Sequence, residues 1–245
     1  MRPGIQAGGS PKATHQRSTS RGSMDLVSVP RFDQFVAAVT EGLARLPGVE
    51  AQLRMAPQPR GGWKPGFTPD QARPAAALLL LFPADSGAAV LLTKRSPDLP
   101  HHGGQVSLPG GAVDPGETIE GAALREAEEE VGLVRAAVNV IGRLTPLHIP
   151  VSGFVLHTVV GFASARPAMK PEPGEVDRII DVPIAHLLDP ARHRRMVRVR
   201  DGIEFEMPYF DLDGEQVWGA TAMVLAEFAA VLGVNAEPAP GGRKW

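Results

Sequence analysis

The sequence predicts an α+β domain built on a mixed β-sheet with helices on its faces. Three observations predict it. Strand-like and helix-like segments alternate without a strict βαβ rhythm. Hairpin signals recur, as at Asp201-Gly202 between Met196–Arg200 and Ile203–Pro208. The longest apolar run, Ala75–Phe82, has the length of a buried strand. It falls short of the roughly 18 residues of a membrane helix, so no transmembrane segment is expected.

Composition bounds the function. A chain of 245 residues, 43% hydrophobic, holds one large domain or two small ones. A net charge of −2 provides no bulk attraction to nucleic acid or acidic membranes. Aromatic residues, at 5%, offer few stacking platforms for bases. The absence of cysteine excludes disulfides, thiolate catalysis and cysteine-based zinc sites. It is compatible with a reducing cytosol, and a cytoplasmic protein is the expectation. Arg243-Lys244-Trp245 is not a peroxisomal address.

Residues 1–24 carry Arg2, Lys12, Arg17 and Arg21 and no acid, and are expected to be a disordered basic tail. Their composition resembles a transit peptide without a convincing amphipathic helix. A flexible tail is the preferred reading, or a start codon placed too early, with Met24 the true beginning. Within 25–72, Phe32, Phe35, Val36, Val39, Leu43 and Leu46 recur at helical spacing, so Arg31–Leu46 is read as an amphipathic helix packed on the domain. Residues 47–74 are rich in Pro and Gly and read as an arm or linker. Trp63 and Phe67 within it either line a site or, more commonly for such residues, anchor a loop.

Ala75–Phe82 and Ala88–Thr93 read as strands joined by a short turn. Val138–Leu144 and Phe154–Phe162 are further strands, the second following a turn at Pro150–Gly153. Residues 164–177 form a Pro-containing loop with Glu172, Glu175 and Asp177. Arg178–Val182 reads as a strand, Pro183–Leu188 as a short helix, Gln216–Trp218 as a short strand and Ala220–Leu232 as a closing helix. The tail 234–245 is expected to be loose. No internal repeat is present.

The chemistry concentrates in residues 110–133, GGAVDPGETIEGAALREAEEEVGL. Asp114-Pro115-Gly116 is turn chemistry. Thr118 can cap the helix that follows, because its hydroxyl accepts an unpaired first-turn amide. Gly132 suits the left-handed position past a helix end. One helix is therefore expected over 118–131. Glu126, Glu129 and Glu130 stand at i, i+3 and i+4, on about a quarter to a third of its circumference. Like charges at these spacings destabilise a helix by about 0.2–0.5 kcal/mol per pair. Hard cations such as Mg²⁺ require converging carboxylates of this kind and offset that repulsion. On an arbitrary helix a solvated acidic face would be the better reading; the glycine frame and the preceding turn argue against it here. Glu128 projects to another side. Glu117 and Arg125 read as a pair tying loop to helix.

From Gly111 the pattern runs glycine, five residues, Glu117, seven residues, Arg125-Glu126, Ala127, one residue, Glu129-Glu130, one residue, Gly132-Leu133. This resembles the Nudix box, with Ala127 where a larger aliphatic residue is usual. The resemblance implies a Nudix α/β/α sandwich over residues 73–233. It implies Mg²⁺ or Mn²⁺ held by Glu126 and Glu130, with Glu129 as third ligand or just behind, and the carbonyl of Gly110. It implies hydrolysis of a diphosphate, with Glu129 or Glu175 as the base; Glu175 as a mere loop residue is an equal reading.

The preceding segment, LLTKRSPDLPHHGGQVSLPGG from Leu91 to Gly111, resembles the motif of the coenzyme A pyrophosphatase branch of that family. Pro100 stands where the motif has arginine and Leu108 where it has phenylalanine. Ser152-Gly153-Phe154, Glu175-Val176, Val182-Pro183 and Trp218-Gly219-Ala220-Thr221-Ala222 resemble later landmarks of the same branch. The substrate implied is coenzyme A, contacted by Arg95, Ser96, His102, Gly103, Gly104 and Gln105. The residues themselves suit an anion: glycines permit close backbone approach, and arginine is a planar phosphate partner. His101 and His102 are more commonly surface residues than ligands. Thr221 and Trp218 either touch the nucleotide or pack; packing is the commoner role. Related enzymes are often dimers, so a homodimer is a further expectation, with no nucleic-acid or membrane partner. The rival readings are a Nudix diphosphatase for ADP-ribose, NADH or a nucleoside triphosphate, and a catalytically silent nucleotide sensor.

Overall fold

The run Ala75–Phe82 lies at the middle of a strand buried on both faces. In the computed structural model, residues 31–60, 68–200 and 202–238 are described, together with Met1. Helices α1 (Phe32–Leu43) and α2 (Val49–Leu53) precede the hairpin of β1 (Arg73–Ala84) and β2 (Gly87–Arg95). Short strands β3 (Val106–Ser107) and β4 (Gly110–Ala112) lead into α3 (Ile119–Val131). Then come β5 (Asn139–Arg143), β6 (Leu147–Ile149), β7 (Phe154–Phe162), β8 (Val176–Pro183) and the one-turn α4 (Ile184–Leu187). The chain closes through β9 (His193–Arg200), β10 (Ile203–Leu212), β11 (Glu215–Trp218) and α5 (Gly219–Val231).

β1 pairs with β7 in parallel, and the other pairings are antiparallel. The larger sheet runs β3-β2-β1-β7-β5, with β4 on β1, β6 on β7 and β8 on β2; β9, β10 and β11 make a separate three-stranded sheet. The sheet is mixed, as expected. Alternate residues of β1 enter two cores. Leu78, Leu80 and Phe82 face Ala122, Ala123, Ala127 and Val131 of α3. Leu79 and Leu81 face the other way, into a core shared with α1, α5, and Met55 and Ala56 just past α2. A strand covered on both faces needs apolar side chains at every position, which is why the run has no polar alternation. Helices on both faces of the sheet make the α/β/α sandwich.

Several local expectations need correction. Residues 47–74 are more than an arm: they include α2, whose Gln52 side chain donates to the Thr145 carbonyl and to Glu227 of α5, both at 2.8 Å. The tail beyond 234 is fastened at its start, where Ala236 is buried and the Glu237 amide donates to His193 Nδ1. The first helix ends at Leu43, three residues early. β3, β4 and β6 are too short to leave a periodic signal. Residues 1–24 beyond Met1, Trp63, Phe67 and 239–245 lie outside the described residues.

Candidate active site

The box folds by local rules. Thr118 Oγ1 accepts the Gly121 amide at 3.0 Å and caps α3. Gly132 ends it in the left-handed region at φ 65. The Leu133 amide then reaches back to the Ala127 carbonyl at 3.3 Å, burying Leu133. Ala127 is fully buried against the sheet alongside Ala122 and Ala123. With alanine at all three positions, α3 packs directly on β1.

That closeness brings β4 under the carboxylates. Gly110 and Gly111 pair with Ala77 and Ala76 of β1. A Cβ on Gly111 would lie 2.4 Å from Glu126 Oε1, and one on Gly110 would lie 2.5 Å from the Ala76 carbonyl. Backbone crowding demands Gly110, while Gly111 leaves room for the Glu126 carboxylate.

Arg125 is the hub. Its Nε and Nη2 donate to the two oxygens of Glu117, each at 3.0 Å. Its Nη1 donates to Glu126 at 2.9 Å and Glu129 at 3.0 Å, and Nη2 also reaches the Ala112 carbonyl at 3.1 Å. The guanidinium holds the Glu117 carboxyl below its ordinary range. The pair thus ties loop to helix, and the same cation also spans two of the helix carboxylates. Glu128 points elsewhere, to Arg135.

Glu130 is 3% exposed. Burial pushes its carboxyl up to about 8; Arg95 and the Gly110 amide pull it down, while Glu126 and Glu175 push it further up. Burial also raises Glu126, against the pull of Arg125 and with a push from Glu129 and Glu175. Glu126, Glu130 and Glu175 therefore share one electrostatic neighbourhood. The 164–175 loop achieves this by lacing along the end of α3: the Lys170 amide donates to the Val131 carbonyl at 2.9 Å and the Glu172 amide to the Glu130 carbonyl at 2.8 Å. Sequence reasoning missed this lacing, which uses backbone groups alone. Glu129 lies on the exposed side, held by Arg125.

Among the described residues, no three His, Asp or Glu side chains are posed close enough together to hold a metal. Arg125 draws Glu126 and Glu129 onto itself. The residues nevertheless fit a hard cation. Glu130 Oε2 is buried without a hydrogen-bond partner, and the candidate donors, carboxylates and the Gly110 carbonyl, are all oxygens.

The segment before the box is held as a closed loop. The Arg95 amide donates to the Gln105 carbonyl at 2.9 Å, and the Gly104 amide to the Arg95 carbonyl at 3.1 Å. A Cβ on Gly103 would meet the Pro97 carbonyl at 2.7 Å. The Ser96 amide donates to the Glu175 carbonyl at 2.8 Å, joining this loop to the next. Arg95 faces Glu130, with 3.7 Å from Nη1 to Oε1. Ser96 is buried and its hydroxyl accepts the Asp98 amide at 3.4 Å, so it serves the turn. His102 is exposed, and its Nδ1 lies 3.0 Å from Gln105 Oε1. Pro100 is exposed, whereas Leu108 belongs to the core. Thr221 donates to the Val106 carbonyl at 3.2 Å, fastening α5 to β3, and the Trp218 ring carries the Arg198 guanidinium 5.4 Å from its centroid.

Comparisons with known proteins agree with this geometry. The NUDIX domain model matches residues 71–199. The chain is 32% identical over 179 residues to an uncharacterized Nudix hydrolase NudL of Photorhabdus laumondii, covering 73% of this chain and 91% of that protein. It is 37% identical over 175 residues to the mitochondrial Nudix hydrolase 15 of Arabidopsis thaliana, covering 66% of this chain and 60% of that protein. Among solved structures it resembles a Nudix hydrolase from M. smegmatis, RenU, at 26% identity and a TM-score of 0.47 over 66% of this chain and 86% of that one. The chain belongs to the Nudix family, and it hydrolyses a pyrophosphate bond in a nucleoside diphosphate-linked substrate.

Proposed function

We propose that the substrate is coenzyme A, cleaved by water at its diphosphate to 4′-phosphopantetheine and adenosine 3′,5′-bisphosphate. The observation that carries this reading is the approach of Arg95 to Glu130 at 3.7 Å. It sets the motif-bearing segment Leu91–Gly111 directly against the box helix. Catalysis would reside in residues 73–233.

Glu126 and Glu130 would hold Mg²⁺ or Mn²⁺, with Glu129 and the Gly110 carbonyl completing the sphere. When bound, such an ion neutralises the diphosphate and lowers the pKa of water. Arg125 orients Glu126 and Glu129. Arg95 and the Gly103-Gly104 turn offer a planar cation and backbone amides to phosphate oxygens. Glu175, in the field of Glu126 and Glu130, is the favoured acceptor for the water's proton, ahead of Glu129. A cytoplasmic homodimer is part of the reading.

Pro100, standing where the motif has arginine, favours a second reading in which ADP-ribose or NADH is the preferred substrate. The deciding experiment gives purified protein coenzyme A, ADP-ribose and NADH separately with Mg²⁺ or Mn²⁺, and identifies products by mass spectrometry. Adenosine 3′,5′-bisphosphate released from coenzyme A at much the highest kcat/KM supports the proposal. Preference for ADP-ribose or NADH replaces it with the second reading, and no turnover of any replaces it with another nucleoside diphosphate-linked substrate.

A further inference from the structure

The pair Arg95–Glu130 is unfinished in a specific way. A register shift falls in the β2–β8 pairing at Lys94/Arg95: Lys94 lies opposite Arg178 and Arg95 opposite Val176, so Asp177 is skipped. Bulges of this kind re-aim side chains next to functional sites. Here the guanidinium comes to face the Glu130 carboxylate at 3.7 Å, beyond hydrogen-bonding range. Two polar atoms are left buried without hydrogen-bond partners, Arg95 Nε and Glu130 Oε2. One is a donor and the other an acceptor, yet they do not satisfy each other. Orphaned buried groups of this kind need a reason. The donor wants an anion and the acceptor wants a cation, and a cation carrying a diphosphate is both.

We propose that Arg95 is a positioning residue that stands as counter-charge to Glu130 until a divalent cation arrives, and then serves the diphosphate, so that cation and diphosphate bind cooperatively. The inference rests on the reading of Glu126 and Glu130 as metal ligands. Like charges in a confined site repel, so Arg95 opposes entry of a bare cation. Once an anion is present, Arg95 can turn to it, and the repulsion becomes attraction. The coupling is reciprocal, as linkage requires. Nothing in it depends on which nucleoside the diphosphate carries, so it stands whether coenzyme A or ADP-ribose is the better substrate. The loop is built to let the side chain act alone. The Arg95 amide and carbonyl are pinned to Gln105 and Gly104, and the Ser96 amide to Glu175, leaving only the side chain to exchange partners.

The test is Mn²⁺ binding by the full chain, read by electron paramagnetic resonance of free Mn²⁺ over a pH series and compared at the alkaline plateau, because Glu130, with its carboxyl pushed up to about 8, carries its charge only there. It is done with and without methylenediphosphonate, a diphosphate that cannot be hydrolysed, after correction for the Mn²⁺–diphosphonate complex in solution. In the unmodified protein, the diphosphonate should tighten Mn²⁺ on the order of ten-fold. Arg95→Gln should bind bare Mn²⁺ on the order of ten-fold tighter, because a nearby like charge is gone, and its coupling should fall to near unity. Arg95→Lys keeps the charge, so its affinity for bare Mn²⁺ should stay within about two-fold of the parent. An Arg95→Gln protein that binds bare Mn²⁺ no more tightly, or that keeps the full coupling, overturns the inference. Glu126→Gln separates the two levels. If Mn²⁺ binds equally well without that carboxylate, the metal-ligand reading fails and this inference with it.

Discussion

Arg125 and Glu117, eight residues apart, meet fork to fork, with Nε on Oε1 and Nη2 on Oε2, each at 3.0 Å. Geometry of this kind belongs to arginine and is not reproduced by a single ammonium. The same guanidinium holds Glu126 and Glu129, so its orientation sets theirs.

Arg125→Lys keeps the charge and loses the fork. We expect turnover to fall by about 10–100-fold, the range typical when a group orienting a metal ligand is removed. Steady-state kinetics over a Mn²⁺ series checks it, and much of the loss should appear as a higher metal requirement.

The two glycines of β4 should respond differently to alanine. Gly111→Ala pushes a methyl into the Glu126 carboxylate, which can swing away. Metal affinity should drop while the melting temperature changes little. Gly110→Ala instead meets the Ala76 carbonyl and Ala77, and overpacking of this sort costs about 1–3 kcal/mol. Thermal unfolding beside Mn²⁺ titration of each variant distinguishes the two.

Glu130→Gln should abolish most turnover and stabilise the metal-free fold at high pH. With its carboxyl pushed up to about 8 from the ordinary 4.5, Glu130 contributes stability that is fully present below the lower value. That stability is lost as pH rises through the higher one. Glutamine has no proton to lose. In chelator, the parent's melting temperature should fall more steeply between mildly acid and mildly alkaline pH than the variant's. A difference on the order of a few kcal/mol is expected at the alkaline end. Parallel pH profiles for the two proteins would refute the account.

Glu227, fully buried in α5, accepts the Gln52 side chain at 2.8 Å and the Thr145 amide at 3.2 Å. Glu227→Ala strands the Thr145 amide, leaves Gln52 Nε2 with the Thr145 carbonyl alone, and opens a cavity. The loss should be about 3 kcal/mol by chemical unfolding, because buried unpaired groups carry their whole desolvation penalty. Glu227→Gln, which retains an acceptor, should lose less.

Much of the protein is local, and what is local was legible in the sequence. The cap at Thr118, the left-handed stop at Gly132, the bounds of β7 and the shared face of Glu126 and Glu130 follow from neighbours a few residues apart. So does the pairing of Arg125 with Glu117, once the loop spacing is known. The two-sided burial of β1 was visible as an unbroken apolar run. Tertiary structure alone decided the rest. Arg95 reaches Glu130 because a strand register slips by one residue beside β8. Glu175 enters the field of the box because backbone amides of its loop bond along the end of α3. The Ser96 hydroxyl accepts the Asp98 amide of a turn, and Leu108, a departure from the motif, packs in the core. Register, lacing and burial depend on which distant segments share a surface, and a linear pattern does not carry that information.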